Sequence, residues 1–359
     1  MQKHSLKNTL RKHDSIIVLS MILIAVLFAM LVGAIAIVIS GANPVKAYME
    51  FFHGFIGNTY GMGELINKFT PLVCCALSFG IATKSGFMNL GAEGQFAIGA
   101  LVSCVVALNM GETTPILGIL IPILAGTIAG ALVSAVAGLM KIFFKANELL
   151  TTLMMNYVID YFISWVVAEP LKNPAGNMEQ SAAIPASSKL PILLPGSRLH
   201  LGVFFAIAAL ILIWFLQQRT TTGFEMRLSG LNAKCARYAG VNQTKSLLYV
   251  ILISGALAGL GGSLELLGNQ YKMMSGISNA FGFDGIGIAV MGRYTPLGIF
   301  LSSLLFGALR VGTQSMQRGS NVPVPILYIL QGTIIIAVIV SAYFATKIRE
   351  SLVERSGER

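Results

Sequence analysis

Ile16-Ile-Val-Leu-Ser-Met-Ile-Leu-Ile-Ala-Val-Leu-Phe-Ala-Met-Leu-Val-Gly-Ala-Ile-Ala-Ile-Val-Ile-Ser40 runs for twenty-five residues without a charge. A helix rises 1.5 Å per residue, so about 20 apolar residues cross a hydrocarbon core of about 30 Å. This stretch is long enough to span. It follows a basic start, as the core of a signal peptide does, but its length exceeds a usual signal core and suits a retained anchor. The same ruler finds further spans at Glu64–Thr83, Gln95–Met110, Pro115–Phe144, Leu149–Ala168, Leu201–Gln217, Leu247–Gly268, Pro296–Gln314 and Val324–Phe344. Phe281–Met291 is too short to cross as a regular helix and too apolar for a wet loop, which makes it a half-span.

Composition agrees with this division. Hydrophobic residues make up 55% of the 359 and charged residues 11%, against about a quarter charged in soluble domains. The expected fold is therefore all-α, a polytopic helical bundle of about ten spans including one short broken helix. The 38 glycines and 16 methionines suit closely packed membrane helices.

The net charge of +10 invites a nucleic-acid reading, but the basic residues sit at loop ends. With both termini cytoplasmic, inner segments carry 17 Lys and Arg against seven outside, with Arg310 left out because it falls within a span. That bias places both termini inside. The chain then divides into a cytoplasmic tail (1–15), a membrane domain (16–346) with a cytoplasmic loop at 217–246 and an external loop at 169–200, and a second tail (347–359). Five prolines in the external loop block any long helix there. It forms either an ordered cap or docking edge, or a solvated linker.

Chemistry by this chain alone finds no support. There is no phosphate loop and no His-Glu-x-x-His pair in the sequence. Cys74, Cys75, Cys104 and Cys235 have no metal-ligand spacing, and the four histidines lie in the N-terminal tail or near span ends. No metal site and no cofactor bound by this chain are expected.

The most specific stretch is Lys84-Ser-Gly-Phe-Met-Asn-Leu-Gly-Ala-Glu-Gly-Gln-Phe-Ala-Ile-Gly-Ala100. Its glycines break a regular helix, and irregular backbone at membrane depth persists only where protein or a water-filled cavity satisfies it. Asn89 and Glu93 are therefore candidates for a translocation path. A cytoplasmic turn with a solvated Glu93 is the other reading. Gly282-Phe-Asp-Gly-Ile-Gly287 repeats the glycines and phenylalanine of Gly86-Phe-Met-Asn-Leu-Gly91 at the same spacing. This is either a pair of broken helices in two halves, with Asp284 beside the path, or chance among glycine-rich segments.

Glu148, Thr152, Asn156 and Asp160 recur every fourth residue, so one face of their helix is polar. Asn147 before Glu148 makes a helix start. Such a stripe faces either an aqueous path, where neutral groups suit sugar hydroxyls or nucleobase edges, or another helix.

The glycine phrase resembles the signature of permease subunits in bacterial ATP-binding cassette (ABC) importers of the branched-chain amino acid and simple-sugar class, at Gly86, Asn89, Leu90, Gly91, Glu93 and Gly94. Lys145-Ala-Asn-Glu-Leu-Leu-Thr-Thr-Leu-Met-Met-Asn-Tyr157 is similar to the phrase of the nucleoside branch, and the likeness extends over nearly the whole chain. The resemblance implies a non-enzymatic permease in the bacterial plasma membrane. It implies a second, similar permease as partner, separate ATPase subunits holding ATP with Mg, and an external substrate-binding lipoprotein. It also implies that Thr222–Gly240, a short amphipathic helix between glycines, is the coupling element that docks on the ATPase. Gly230, Asn232, Ala233, Ala236, Ala239 and Gly240 match that pattern, while Arg227, Lys234 and Arg237 could pair with acidic groove edges. A basic segment lying on anionic lipid is the alternative for this loop. For the whole chain the alternative is an ion-coupled secondary transporter or channel, using Glu93, Asp160 or Asp284.

Overall fold

The computed structural model describes residues 27–174 and 178–357. Ile16–Val26 of the first apolar stretch, the N-terminal tail and the last two residues lie outside it. Thirteen helices follow one another among the described residues: α1 (Leu27–Ile39), α2 (Pro44–Ile56), α3 (Thr59–Lys84), α4 (Ala92–Met110), α5 (Pro115–Phe144), α6 (Glu148–Ala168), α7 (Gly202–Arg219), α8 (Thr221–Leu231), α9 (Ala233–Tyr238), α10 (Gln243–Glu265), α11 (Phe281–Met291), α12 (Pro296–Ser320) and α13 (Val324–Gly357). Eight are long and apolar enough to cross a membrane, counting α10 with its extension to Gln270. The described part of α1 and the eleven-residue α11 are shorter apolar helices. These ten elements coincide with the ten apolar stretches of the sequence.

Helix starts follow local chemistry. The side chains of Asn43, Asn58, Asn147, Asn232 and Asn242 accept backbone N–H groups at the starts of α2, α3, α6, α9 and α10. Each satisfies donors that the first turn leaves orphaned. At its far end α10 widens into a π turn, Leu266–Gln270, where buried Glu265 accepts from the Asn269 and Gln270 amides.

The described residues form two compact units, one of residues 58–310 and one of residues 27–57 with 311–357. In the larger unit α3 is the central helix, buried at every residue from Asn67 to Ala82. It packs on α10 and α11, while α10 also lies against α4 and α5. The α4, α5 and α10 backbones approach through small residues. A Cβ on Gly99 would sit 2.5 Å from the Cα of Gly259, and one on Gly130 would sit 2.7 Å from the same atom. Ser103 Oγ bridges this junction, lying 2.7 Å from both the Pro122 carbonyl oxygen and Ser263 Oγ. Small residues with hydroxyl cross-links are how membrane helices pack without a hydrophobic driving force. In the smaller unit, Phe51 of α2 lies where a Cβ on Gly312 would fall, and the Tyr48 hydroxyl donates to the Met30 carbonyl at 2.5 Å.

The loop between α6 and α7 is ordered where described. Ser181, Ile184 and Leu190 donate backbone N–H groups to the Met273, Tyr271 and Leu267 carbonyls at 2.9 Å each. Glu112 accepts from the Ala186 and Ser187 N–H groups, which hold its carboxyl below the usual carboxylate range. Residues 178–200 are thus an ordered, hydrogen-bonded segment. Buried His200 is pushed down to about 4 by loss of hydration and stays neutral at pH 7. Its Nε2 lies 3.0 Å from Asn67 Oδ1, and its Nδ1 accepts the Gly202 N–H. Nε2 therefore carries the proton.

Two local expectations need correction. The coupling segment is not one helix, because Asn232 adopts φ −158° and ψ 104°, ending α8 and capping α9. The two glycine-phenylalanine phrases are not structural equivalents either. Residues 87–91 form a turn ahead of α4, whereas 282–287 lie inside α11.

Candidate functional site

α3 stops at Lys84, and Gly86 takes φ +82°, a left-handed value that glycine adopts without strain. The chain then dips back among the helices, burying Phe87 and Asn89 completely. Asn89 organises this break. Its amide nitrogen donates to Gln95 Oε1 at 2.8 Å and Ser254 Oγ at 2.7 Å, while its oxygen accepts the Gly91 N–H at 2.9 Å. No water is needed for these groups, as backbone at membrane depth requires.

The polar stripe on α6 completes the satisfaction of that segment. Thr152 Oγ1 accepts the Leu90 N–H at 3.2 Å, Asn156 donates to the Leu90 carbonyl at 2.8 Å, and Asn156 Oδ1 accepts the Gly94 N–H at 2.9 Å. Thr152 and Asn156 therefore act as helix-to-helix partners. At one end of the stripe Glu148 pairs with Lys141 at 2.7 Å. At the other, Asp160 is exposed and its carboxylate has no hydrogen bond or ion pair among the described residues.

Glu93 lies in the first turn of α4, and its carboxylate reaches a different helix. Oε1 accepts the Ala280 N–H at 3.0 Å, and Oε2 accepts those of Gly282 and Phe283 at 2.6 and 3.3 Å. These are the orphan donors where α11 begins, so a carboxylate caps α11 from outside its own chain segment. Gly282 permits the approach, since a Cβ there would fall 2.5 Å from Glu93 Cα. Asp284, one turn into α11, pairs with Arg310 at 2.8 Å from both Nε and Nη2. Arg310 also donates to the Asn279 carbonyl at 2.8 Å and lies 4.4 Å from the centre of the Phe281 ring. The left-handed backbone at Asn279 and Ala280 is held by these two charged groups together.

Between α4, α6 and the segment leading into α11 is a pocket of about 280 Å³, lined by Glu93, Asn156, Tyr157, Asp160, Asn279 and Phe283 among others. Asn89, Glu148, Thr152 and Asp284 are not among its lining residues.

A second surface connects to this pocket through backbone contact. Gly230 of α8 lies against the end of α3, where a Cβ would sit 2.9 Å from the carbonyl carbons of Lys84 and Ser85, and a Cβ on Gly86 would sit 3.3 Å from Gly230 Cα. Met226 of α8 shares a buried cluster with Ala82, Phe87, Val250 and Ile251. The outer side of this element exposes Leu231 (84%) and Tyr238 (92%), with Asn232, Arg237, Ala239 and Gly240 also exposed. Arg227 is half-buried, and Ala236 is fully buried within the chain.

Residues 61–339 match the family of branched-chain amino acid transport system permease components. The chain belongs to that family. This permease is 32% identical over 320 residues to the guanosine ABC transporter permease protein NupP of Bacillus subtilis, covering 88% of this chain and 91% of that one. It is 31% identical over 332 residues to the glucose ABC transporter permease protein TsgB13 of Haloferax volcanii, covering 89% and 87%. It is 30% identical over 322 residues to the nucleoside ABC transporter permease protein NupB of Lactococcus lactis, covering 87% and 88%. The organisms of NupP and NupB each contribute a second permease that also matches, the guanosine ABC transporter permease protein NupQ and the nucleoside ABC transporter permease protein NupC. No solved structure matches the chain.

The family assignment and the apolar helices together make this a multi-pass membrane permease. Sequence reasoning missed Gln95, Ser254, Asn279 and Arg310 as parts of the permease's site. Ser254 sits inside an apolar run and carries no pattern of its own, whereas Gln95 stands within the glycine-rich phrase, where Asn89 and Glu93 drew the attention. Arg310 had a visible signal, a cation within a span, which calls for a buried carboxylate such as Asp284.

Proposed function

We propose that this permease is the membrane subunit of an ATP-driven importer of nucleosides in a bacterial plasma membrane, with both termini in the cytoplasm. A companion permease completes the path, separate ATPases hold ATP with Mg and hydrolyse it, and an external lipoprotein delivers the solute. The names of NupP and NupB support the nucleoside, and their companion permeases support a pair of similar subunits.

The observation that carries the reading is the contact of Gly230 with Ser85 and Gly86. It joins the exposed α8–α9 surface to the broken segment, whose Leu90 and Gly94 are hydrogen-bonded to α6 beside the pocket. In this reading ATPase closure pushes on α8 and α9, Gly230 presses the end of α3, and the braced segment carries the shift to the pocket wall. The motion changes which side the pocket faces, with differential contacts in two states as its cause. Arg227, Gly230, Asn232, Ala236, Arg237, Ala239 and Gly240 build the coupling element, with the exposed ones touching the ATPase and Ala236 holding α9 in place. Asn89, Thr152 and Asn156 brace the path, Glu93 caps its moving wall and Asp160 lines it. Glu148 and Asp284 hold their helices through Lys141 and Arg310.

An ion-coupled mechanism is less well supported, because of its three candidate carboxylates Glu93 already accepts three N–H groups and Asp284 is paired with Arg310, which leaves Asp160 alone. Competition uptake with a panel of radiolabelled nucleosides and sugars, in cells expressing the complete transporter, tests the proposal. Nucleosides are expected to compete and sugars not to. Competition by sugars alone would overturn the nucleoside assignment.

A further inference from the structure

Asp160 presents a chemical problem that the brace around Asn89 does not resolve. It lies within α6, a helix long and apolar enough to span, yet its carboxylate is unpaired among the described residues and the residue is exposed. An ionised group at such a position does not face lipid at equilibrium without large cost, so it belongs to a wet or ligand-filled space. The pocket supplies that space, and its lining includes no Lys or Arg. Two carboxylates without a cation disfavour anionic solutes, so the fitting ligand is uncharged or cationic, and a nucleoside is of the first kind.

The lining narrows the class further. Asp160 is acceptor-only when ionised, and its two oxygens can take two neighbouring hydroxyl donors. Asn279, also exposed at the pocket, brings an amide whose side chain is likewise free of hydrogen bonds among the described residues. Tyr157 and Phe283 add exposed aromatic rings to the same lining. The volume of about 280 Å³ is near the lower end of small-ligand sites. One flat ring with an attached polyol fits this description. Guanosine and glucose, named for two relatives, both carry a vicinal diol.

We infer that Asp160 recognises the 2′,3′-diol of a ribonucleoside inside the permease, with Tyr157 and Phe283 flanking the base. The inference rests on the nucleoside reading above and adds a residue and a functional group to it. Asp160 sets which sugars pass, in addition to whatever the external binding protein selects. A carboxylate contacting a ribose 2′-hydroxyl is a familiar device in nucleotide recognition, and here the free carboxylate in the pocket provides it.

The test compares maximal uptake rates of guanosine and 2′-deoxyguanosine at saturating concentration, in proteoliposomes with the complete transporter and the same binding protein throughout. Saturation removes the binding protein's affinity from the comparison. The wild type should favour guanosine by at least about tenfold, the lower end of the worth of one hydrogen bond to a charged group. Asp160→Asn should bring the ratio to within about twofold at normal abundance, and Asp160→Glu should restore part of it. An equal ratio in wild type and Asp160→Asn would overturn the inference while leaving the nucleoside reading intact, as would an equal loss of both solutes. Import of no nucleoside by the wild type would sink both.

Discussion

Replacing Glu93 by alanine removes the cap on α11 and leaves the Ala280, Gly282 and Phe283 N–H groups without their acceptor. The bonds at 3.0 and 2.6 Å are well formed and the one at 3.3 Å is weaker. A hydrogen bond to a charged group contributes about 1.5–3 kcal/mol, and partial relaxation reduces the sum, so a loss of roughly 3–5 kcal/mol is expected. The pocket feels that loss directly, because Asn279, Ala280 and Phe283 line it at the capped end. Glu93→Gln keeps one oxygen for Gly282 and Phe283 but turns a donor toward Ala280, and should lose about half as much. Uptake by the complete transporter, membrane abundance and thermal unfolding of the purified complex together read the effect. Uptake should fall steeply in Glu93→Ala and partially in Glu93→Gln, with unfolding temperature following the same order. A Glu93→Ala transporter with wild-type abundance, stability and uptake would refute the capping role.

Tyr238→Glu and Leu231→Glu alter exposed positions, so both should insert normally and lose co-purification with the ATPase; retained co-purification would count against the docking face. Ala236→Glu should instead lower the abundance of the permease itself, because it forces a charge into a position with no exposure, a cost of at least about 3 kcal/mol checked by membrane immunoblot. Gly259→Leu places side-chain atoms where Gly99, Gly126 and Gly130 already touch α10, and overpacking of about 1–3 kcal/mol or more should lower the unfolding temperature. His200 titrates near 4 when folded against 6.5 ordinarily, so the unfolded chain binds the extra proton as pH falls through that window. Stability should be unaffected above about pH 6.5 and drop by up to about 3 kcal/mol toward pH 4. His200→Gln should flatten that part of the pH–stability curve.

The spans were legible because transfer to lipid requires a length of apolar sequence that few other structures need, and Pro115–Phe144 and Phe281–Met291 have the same bounds in sequence and structure. α2 escaped notice, since thirteen residues with Lys46, Glu50 and His53 carry no spanning signal. The glycine-rich break before α4 was visible as a departure from helix, but its partners were not. Asn89 meets Ser254 across 165 residues, and no local pattern announces such a pairing. Glu93 was legible as an unusual carboxylate, while its use as a cap for α11 depends on backbone 187 to 190 residues away. The four-residue spacing from Glu148 to Asp160 made a polar face legible, which in the structure winds by about 40° per step from buried Thr152 and Asn156 to exposed Asp160. That face nevertheless has three roles along its length: an ion pair, a backbone brace and a pocket lining.

The central claim is that the α8–α9 surface receives its force from a separate ATPase and passes it through Gly230 to the pocket. Proteoliposomes containing the permease pair, with or without the ATPases, test this when loaded with ATP or given only a proton or sodium gradient. Guanosine uptake is predicted only with ATPases and ATP present together. Uptake driven by either ion gradient in vesicles lacking the ATPases would contradict the account.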